Sequence, residues 1–372
     1  MNLLNQFLFF TCNSIGYKTK RKIIVIESDD WGSIRMPSMQ AFEQINKKGL
    51  DTSGASLRYN IYDTLADKND LMLLFETLFS FCDAQGSHPV FTALSVVANP
   101  DFIKIRESEF NEYRYELFTT TLDRYYGSDN PFYLWMEGIK SQIFLPQFHG
   151  REHLNVAVWM KDLKQNDFEA RIAFEQGCWG FNNKHPYGIS YQAAFELYYH
   201  EELVQQASII EEGLNLFEKL FGYRASYFVP PNGPFNNHLE ALAAVEGIRF
   251  MYSNKLQYEP QGKGKIKKRF HYIGQQNKYG QYYLTRNCFF EPSEQGKDWV
   301  DSCLRDIDNS FKWHKPAIIS SHRVNYIGAR YPSNRDSGLR QLKTLLYNIL
   351  NKWPDVEFMT SDALGELIAQ DQ

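Results

Sequence analysis

Lys22-Ile23-Ile24-Val25-Ile26-Glu27-Ser28-Asp29-Asp30-Trp31-Gly32 decides the fold. Lys22 to Glu27 is an almost unbroken β-branched run, which suits a strand covered on both faces. Two carboxylates then follow it directly. In parallel α/β architectures chemistry gathers at the carboxyl ends of strands, so the run predicts both a parallel sheet and a site at its end. Capping of the next turn is the bland alternative for an Asp pair.

The rest of the chain keeps the same rhythm. Strand-type runs recur at Pro89 to Val97, Ile143 to Phe148, Ser226 to Val229, Arg249 to Tyr252, Tyr282 to Asn287, Ala317 to Ser320 and Val356 to Met359. Helical patterns separate them. A long helix is expected over Tyr191 to Phe221, closed by Gly222. Trp299, Cys303, Ile307 and Phe311 recur every four residues, and Leu339, Leu342, Leu345, Leu346 and Ile349 mark another helix. A short helix follows from Ser361. Alternation of this kind predicts an α/β fold, a distorted or incomplete (β/α) barrel of about seven parallel strands in one domain over residues 1–372. Residues 101–142 are aromatic, charged and irregular, and read as an insertion after the second strand.

Composition narrows the function. The 372 residues are 43% hydrophobic and 16% aromatic, so a large core is expected rather than disorder. A net charge of −4 provides no overall basic field for nucleic acid. The one basic cluster, Lys263, Lys265, Lys267, Lys268 and Arg269, reads as a solvated loop or hairpin, with anion binding as the alternative. Five scattered cysteines without a CxxC pair suit free thiols in a reducing compartment. Met1 to Phe10 is apolar but short and lacks basic residues, unlike a signal peptide. No run reaches the ~20 apolar residues of a membrane span. A cytoplasmic location is expected.

Two further motifs sit at strand ends. His149-Gly150-Arg151-Glu152-His153 follows Ile143 to Phe148, and a four-residue spacing brings both imidazoles to one side of a helical turn. Neutral imidazole suits zinc and its neighbours. His322 ends the Ala317 to Ser320 run. The Pro230-Pro231-Asn232-Gly233 turn follows a fourth strand, and such a turn can offer backbone N–H groups to an oxyanion. His88, His185, His200, His238, His271 and His314 match no ligand spacing and read as surface or structural. Trp31, beside Asp30, is the aromatic best placed to stack on a sugar ring, with Trp159 and Trp179 behind it.

Taken together, Ser28-Asp29-Asp30-Trp31-Gly32, His149-x-x-x-His153, Val229-Pro230-Pro231-Asn232-Gly233 and Ser320-Ser321-His322 resemble the motifs of the polysaccharide deacetylases, metal-dependent enzymes acting on chitin, chitooligosaccharides and peptidoglycan. The resemblance runs from about residue 22 to 360. It implies a metal-dependent hydrolase that removes an acyl group, N-acetyl above all, from a carbohydrate or related amide. Asp30, His149 and His153 would hold a divalent ion, with zinc the default and cobalt, manganese or nickel as substitutes. Asp29 would be the general base and His322 the general acid. The chain departs from the family pattern at Val229, where an arginine usually steadies the base, and at Asn232, where an aromatic is usual. Arg286 or Arg323 is expected to supply the missing charge. Three other readings compete. One is an H-x-x-E-H metalloprotease with Glu152 as base. The others are a two-His-one-carboxylate iron site and a non-catalytic carbohydrate-binding relative.

Overall fold

A computed structural model describes residues 14–371. The apolar Met1–Phe10 stretch and Cys12 lie outside the described residues. Among the described residues, no helix is long and apolar enough to cross a membrane.

The opening run forms the central strand, Lys22–Trp31, and all but its first residue are buried. It pairs in parallel with Ala317–His322 along one edge, in register from Ile24 opposite Ala317 to Asp29 opposite His322. Its other edge is shared by two strands. Val356–Met359 pairs with Lys22 to Val25, and Phe91–Ser95 takes over from Ile26. Beyond Phe91–Ser95 the sheet continues through Phe144–Phe148, Tyr227–Phe228, Phe250–Tyr252 and Tyr282–Leu284. Cys288–Phe289 extends the far side beyond Ala317–His322. All these pairings are parallel, and Gln275–Gln276 adds the antiparallel edge.

The expected fold class is therefore observed: a mostly parallel sheet with surrounding helices. The sheet is an open path, with no pairing between its two ends among the described residues. Among the described residues nine strands pair in parallel, against about seven expected. Part of the excess is Cys288–Phe289, whose two residues are too few to show a period.

Two expectations need correction. The long helix spans Glu202–Phe221, not Tyr191 to Phe221. The segment before it is held irregular by side chains that take over carbonyls a helix would use. Asn155 Nδ2 donates to the carbonyls of Ala193 and Glu196, and Gln206 Nε2 also donates to Glu196. The second correction concerns residues 101–142, which are regular rather than irregular. They contain helices Phe102–Glu107, Phe118–Tyr126 and Phe132–Lys140. Phe118, Leu122, Leu134 and Trp135 from this segment are buried in the main core. The basic cluster forms the returning strand and turn of a hairpin, Leu256–Pro260 with Ile266–Phe270.

Candidate metal and hydrolytic site

The carboxyl ends of six strands converge on a cavity of about 460 Å³. Asp29, Asp30, His149, His153, Arg286 and His322 all line it, as do Asn232 and Gly233. Segment 101–142 contributes nothing to it.

The two aspartates are separated by a break in the strand. Pairing with Phe91–Ser95 shifts register between Ser28 and Trp31, and Asp30 has φ +75°. That left-handed conformation is costly for a residue with a Cβ, ~1–3 kcal/mol, and such strain clusters at functional sites. Here it turns Asp30 toward the histidines, while Asp29 keeps its strand register opposite His322.

Asp30, His149 and His153 are each at most 3% exposed. Their candidate ligand atoms lie within 4.8 Å of one another. Asp30 Oδ1 is 3.1 Å from His153 Nε2 and 3.7 Å from His149 Nε2. His149 Nδ1 donates to the Val229 carbonyl at 2.7 Å. A carbonyl only accepts, so Nδ1 carries the proton and Nε2 presents its lone pair. Buried His149 Nε2 has no hydrogen-bond partner, since 3.7 Å is too long for one. An orphaned imidazole nitrogen beside a carboxylate, with its tautomer fixed from behind, is the arrangement of a metal ligand. The residues fit a divalent cation. Burial holds His153 below its ordinary pKa despite the pull of Asp30, which keeps it a neutral donor.

The histidine pair reaches this geometry by a loop, not by the helical turn expected. Residues 149–153 are irregular, and Gly150 has φ +110°. Glu152 points elsewhere. Arg151 binds it through Nε at 2.6 Å and Nη2 at 3.0 Å, and Glu152 does not line the cavity. The metalloprotease reading loses its base.

Arg35, unsuspected in the sequence, sits behind the cluster. Its Nη2 is 3.1 Å from Asp30 Oδ2, and its Nη1 donates to Gln192 at 2.7 Å. One carboxylate oxygen is thereby taken, and the other faces the imidazoles. Burial opposes the charge on Asp30, but Arg35 and the histidines outweigh it and hold the carboxyl well below its usual range.

Asp29 has a different partner. Arg286 grips it with Nη1–Oδ2 at 2.7 Å and Nη2–Oδ1 at 2.5 Å. Its Nε reaches Glu27 at 2.5 Å, and the guanidinium lies 4.6 Å from the centre of the Tyr252 ring. Glu27 and Asp29 are two apart on one strand and so share a face, which lets one fork serve both. Burial works against the Asp29 charge, yet Arg286 lowers its pKa below the ordinary value. Arg286, and not residue 229, is thus the charge that meets Asp29. Arg323 does not: it is fully buried and pairs with Asp63 through Nε at 3.1 Å and Nη2 at 2.8 Å.

His322 faces Asp29 through Nε2 at 3.8 Å and Glu291 through Nδ1 at 2.5 Å. Burial alone would strip its proton. Glu291, seconded by Asp29, prevails and raises its pKa to about 9. Glu291 is also held by Arg58 at 2.8 Å and Asn325 at 2.9 Å. Sequence reasoning missed Arg35 and Glu291. Neither lies in a periodic or spaced motif, and Cys288–Phe289, which leads into Glu291, is too short to be read as a strand. Glu27 was legible in principle, because an acid inside an apolar strand demands a cation.

Two expected residues are placed differently. Trp31 is 1% exposed, donates to Ser28 Oγ at 2.9 Å and packs edge-on to Phe144 and Trp135. A ring on the core side of the bulge offers no face to a sugar. In the proline turn, Asn232 and Gly233 reach the cavity but Pro231 does not line it. The Gly233 N–H donates to the Pro230 carbonyl at 3.0 Å, so that amide is not an oxyanion donor.

No family model and no curated protein matches the chain. Polysaccharide deacetylases are among the solved structures it is similar to. One, from Mycobacterium smegmatis, has a TM-score of 0.46 and 9% identity, with 96% of this chain and 94% of that one covered. The Puue allantoinase has a TM-score of 0.46 and 11% identity over 96% and 92% of the two chains. The α-amylase AmyC from Thermotoga maritima has 0.46 and 9% over 92% and 74%. Identities and TM-scores this low assign neither a family nor an activity.

Proposed function

We propose that this protein is a metal-dependent hydrolase that removes an N-acetyl group from a carbohydrate or a related amide. The observation that carries the reading is the buried Asp30–His149–His153 cluster, flanked on one wall by an Arg286-held carboxylate and a Glu291-held imidazole. A divalent cation bound there, zinc by default with cobalt, manganese or nickel able to replace it, supplies acidified water and a polarised carbonyl.

The chain's own residues divide the remaining work. Asp29 accepts the proton of the attacking water. Arg286 keeps it ionised and fixes its direction. His322 enters with a proton on Nε2, because Glu291 stabilises the imidazolium, and gives it to the departing amine. The Asn232 side of the turn borders the reacting carbonyl. The carboxyl and imidazole titrate on opposite sides of neutrality, which is how one site runs base and acid chemistry together. Residues 1–372 act as one catalytic domain, with 101–142 as an insertion. The substrate reading is supported by a cavity with polar walls, including Gln192, Ser190 and Asn254. The free thiols Cys82, Cys178, Cys288 and Cys303 suit a cytoplasmic, reducing setting.

The test is acetate release from N-acetylated chitooligosaccharides and N-acetylated monosaccharides by zinc-loaded protein. Turnover is expected in wild type and a ~10²–10⁴-fold lower rate in Asp29→Asn. Near-normal rates in Asp29→Asn, or no acetate from any of these substrates at full metal occupancy, contradict the proposal.

A further inference from the structure

The residues that line the candidate cavity link into a closed ring. Gln192 Nε2 donates to Ser56 Oγ at 3.3 Å, and Arg35 Nη1 pins Gln192 in turn at 2.7 Å. Ser56 and Tyr59 share the helix Ser56–Tyr62, and the Tyr59 ring meets the His322 ring edge-on at 5.6 Å. The strand that ends at His322 also carries Ser320, whose Oγ accepts from Arg286 Nη1 at 3.1 Å. The Arg286 guanidinium lies 4.6 Å from the centre of the Tyr252 ring, and the Tyr252 hydroxyl donates to Asn254 at 2.7 Å. Asn254 abuts the proline turn: a Cβ built on Gly233 would stand 3.0 Å from its Nδ2. Between that turn and Gln192, the wall is tied by buried Phe195 and Phe235, edge to face at 6.0 Å.

Asp29, Asp30, His149 and His153 all line the space inside this ring, yet none is more than 6% exposed. The site is a pit and not a trench. Its volume of about 460 Å³ belongs to the size class of small-molecule sites. A polymer that reacts at an internal unit has to cross the site, entering through one gap in the wall and leaving through another. The ring offers neither. A unit attached at one end only can be lowered through the mouth with its attachment pointing outward.

We infer that the substrate is an N-acyl sugar unit with at most one glycosidic link, either free or at the end of a chain, and that internal units of a polymer are excluded. This rests on the deacetylase reading proposed above and narrows its substrate class. The hydrogen bond between Ser56 and Gln192 and the contact between Tyr59 and His322 are the parts of the wall that a crossing chain would meet.

The test is acetate release by zinc-loaded protein from N-acetylglucosamine, its disaccharide and fully N-acetylated chitohexaose, with the reacted rings located by mass spectrometry. Only terminal rings of the hexasaccharide should lose acetate, and kcat/KM per chain should not rise from the disaccharide to the hexasaccharide. Acetate from internal rings, or a rate per chain that climbs with length, overturns the inference and leaves the deacetylase reading standing. No acetate from any of the three at full metal occupancy strikes the deacetylase reading, and the inference with it.

Discussion

The two halves of the candidate cavity are built by different means. The half formed by Asp30, His149 and His153 gathers side chains from two strand ends, and its geometry is set mainly by backbone, with a single arginine, Arg35, behind Asp30: a φ of +75° at Asp30, the loop at Gly150 and a carbonyl behind His149. The half formed by Asp29 and His322 is set by paired charges, Arg286 on one and Glu291 on the other. The first half is arranged to leave a lone pair unclaimed. The second leaves no charge unclaimed. On the proposed reading, positioning a cation and tuning proton transfer are separable in this fold.

The comparison can be broken most forcefully at the ligands. His149→Ala should abolish both metal stoichiometry, read by elemental analysis, and turnover. Asp29→Asn should split the two, keeping about one metal per chain while kcat falls ~10²–10⁴-fold. If both variants lose metal alike, the halves are not separate.

Arg286→Met leaves Asp29 and Glu27 buried without their cation. Loss of one partner from a buried ion pair costs ~3–5 kcal/mol, to be read by denaturant unfolding. It should also move the acid limb of activity to higher pH, since the charge holding the Asp29 pKa down is gone.

Glu291→Gln is milder and sharper. As the proposed general acid, His322 would act in its protonated form, so a pKa raised to about 9 puts the expected alkaline limb of kcat/KM there. Removing the Glu291 charge lowers that pKa, so the limb should move toward neutral pH while metal content is unchanged. In stability the sign is parallel. The raised His322 pKa stabilises the fold fully below its ordinary value near 6.5, and that contribution fades as pH rises through about 9. The smallest effect belongs to Glu152→Gln, which should leave the alkaline limb and metal content in place, because Glu152 faces Arg151 and not the cavity.

The same contrast explains what was legible in the sequence. Asp30, His149, His153 and His322 announce themselves by position, because strand ends and spacing are local properties of a chain. The central strand was readable for the same reason, as its β-branched run must be covered on both faces. Arg286 lies 257 residues from Asp29, and Glu291 lies 31 from His322. Arg286 was legible as a charge at a strand end, but nothing local says which charge either residue meets; the pairing of Cys288–Phe289 with Ala317–His322, and of that strand with Lys22–Trp31, brings each near its partner. Arg323, equally eligible by sequence, was claimed by Asp63 instead. Trp31 misled because adjacency to Asp30 implied a shared face. The bulge between Ser28 and Trp31 breaks strand alternation, and the ring goes to the core.

The central claim is that Asp30, His149 and His153 form a metal centre. It is tested most directly by a crystal soaked in zinc and measured across the zinc absorption edge. One anomalous peak is predicted at ~2.0–2.2 Å from an Asp30 oxygen and a nitrogen of each histidine. A map without a peak there at saturating zinc, with the three side chains hydrogen-bonded only to one another, would contradict it.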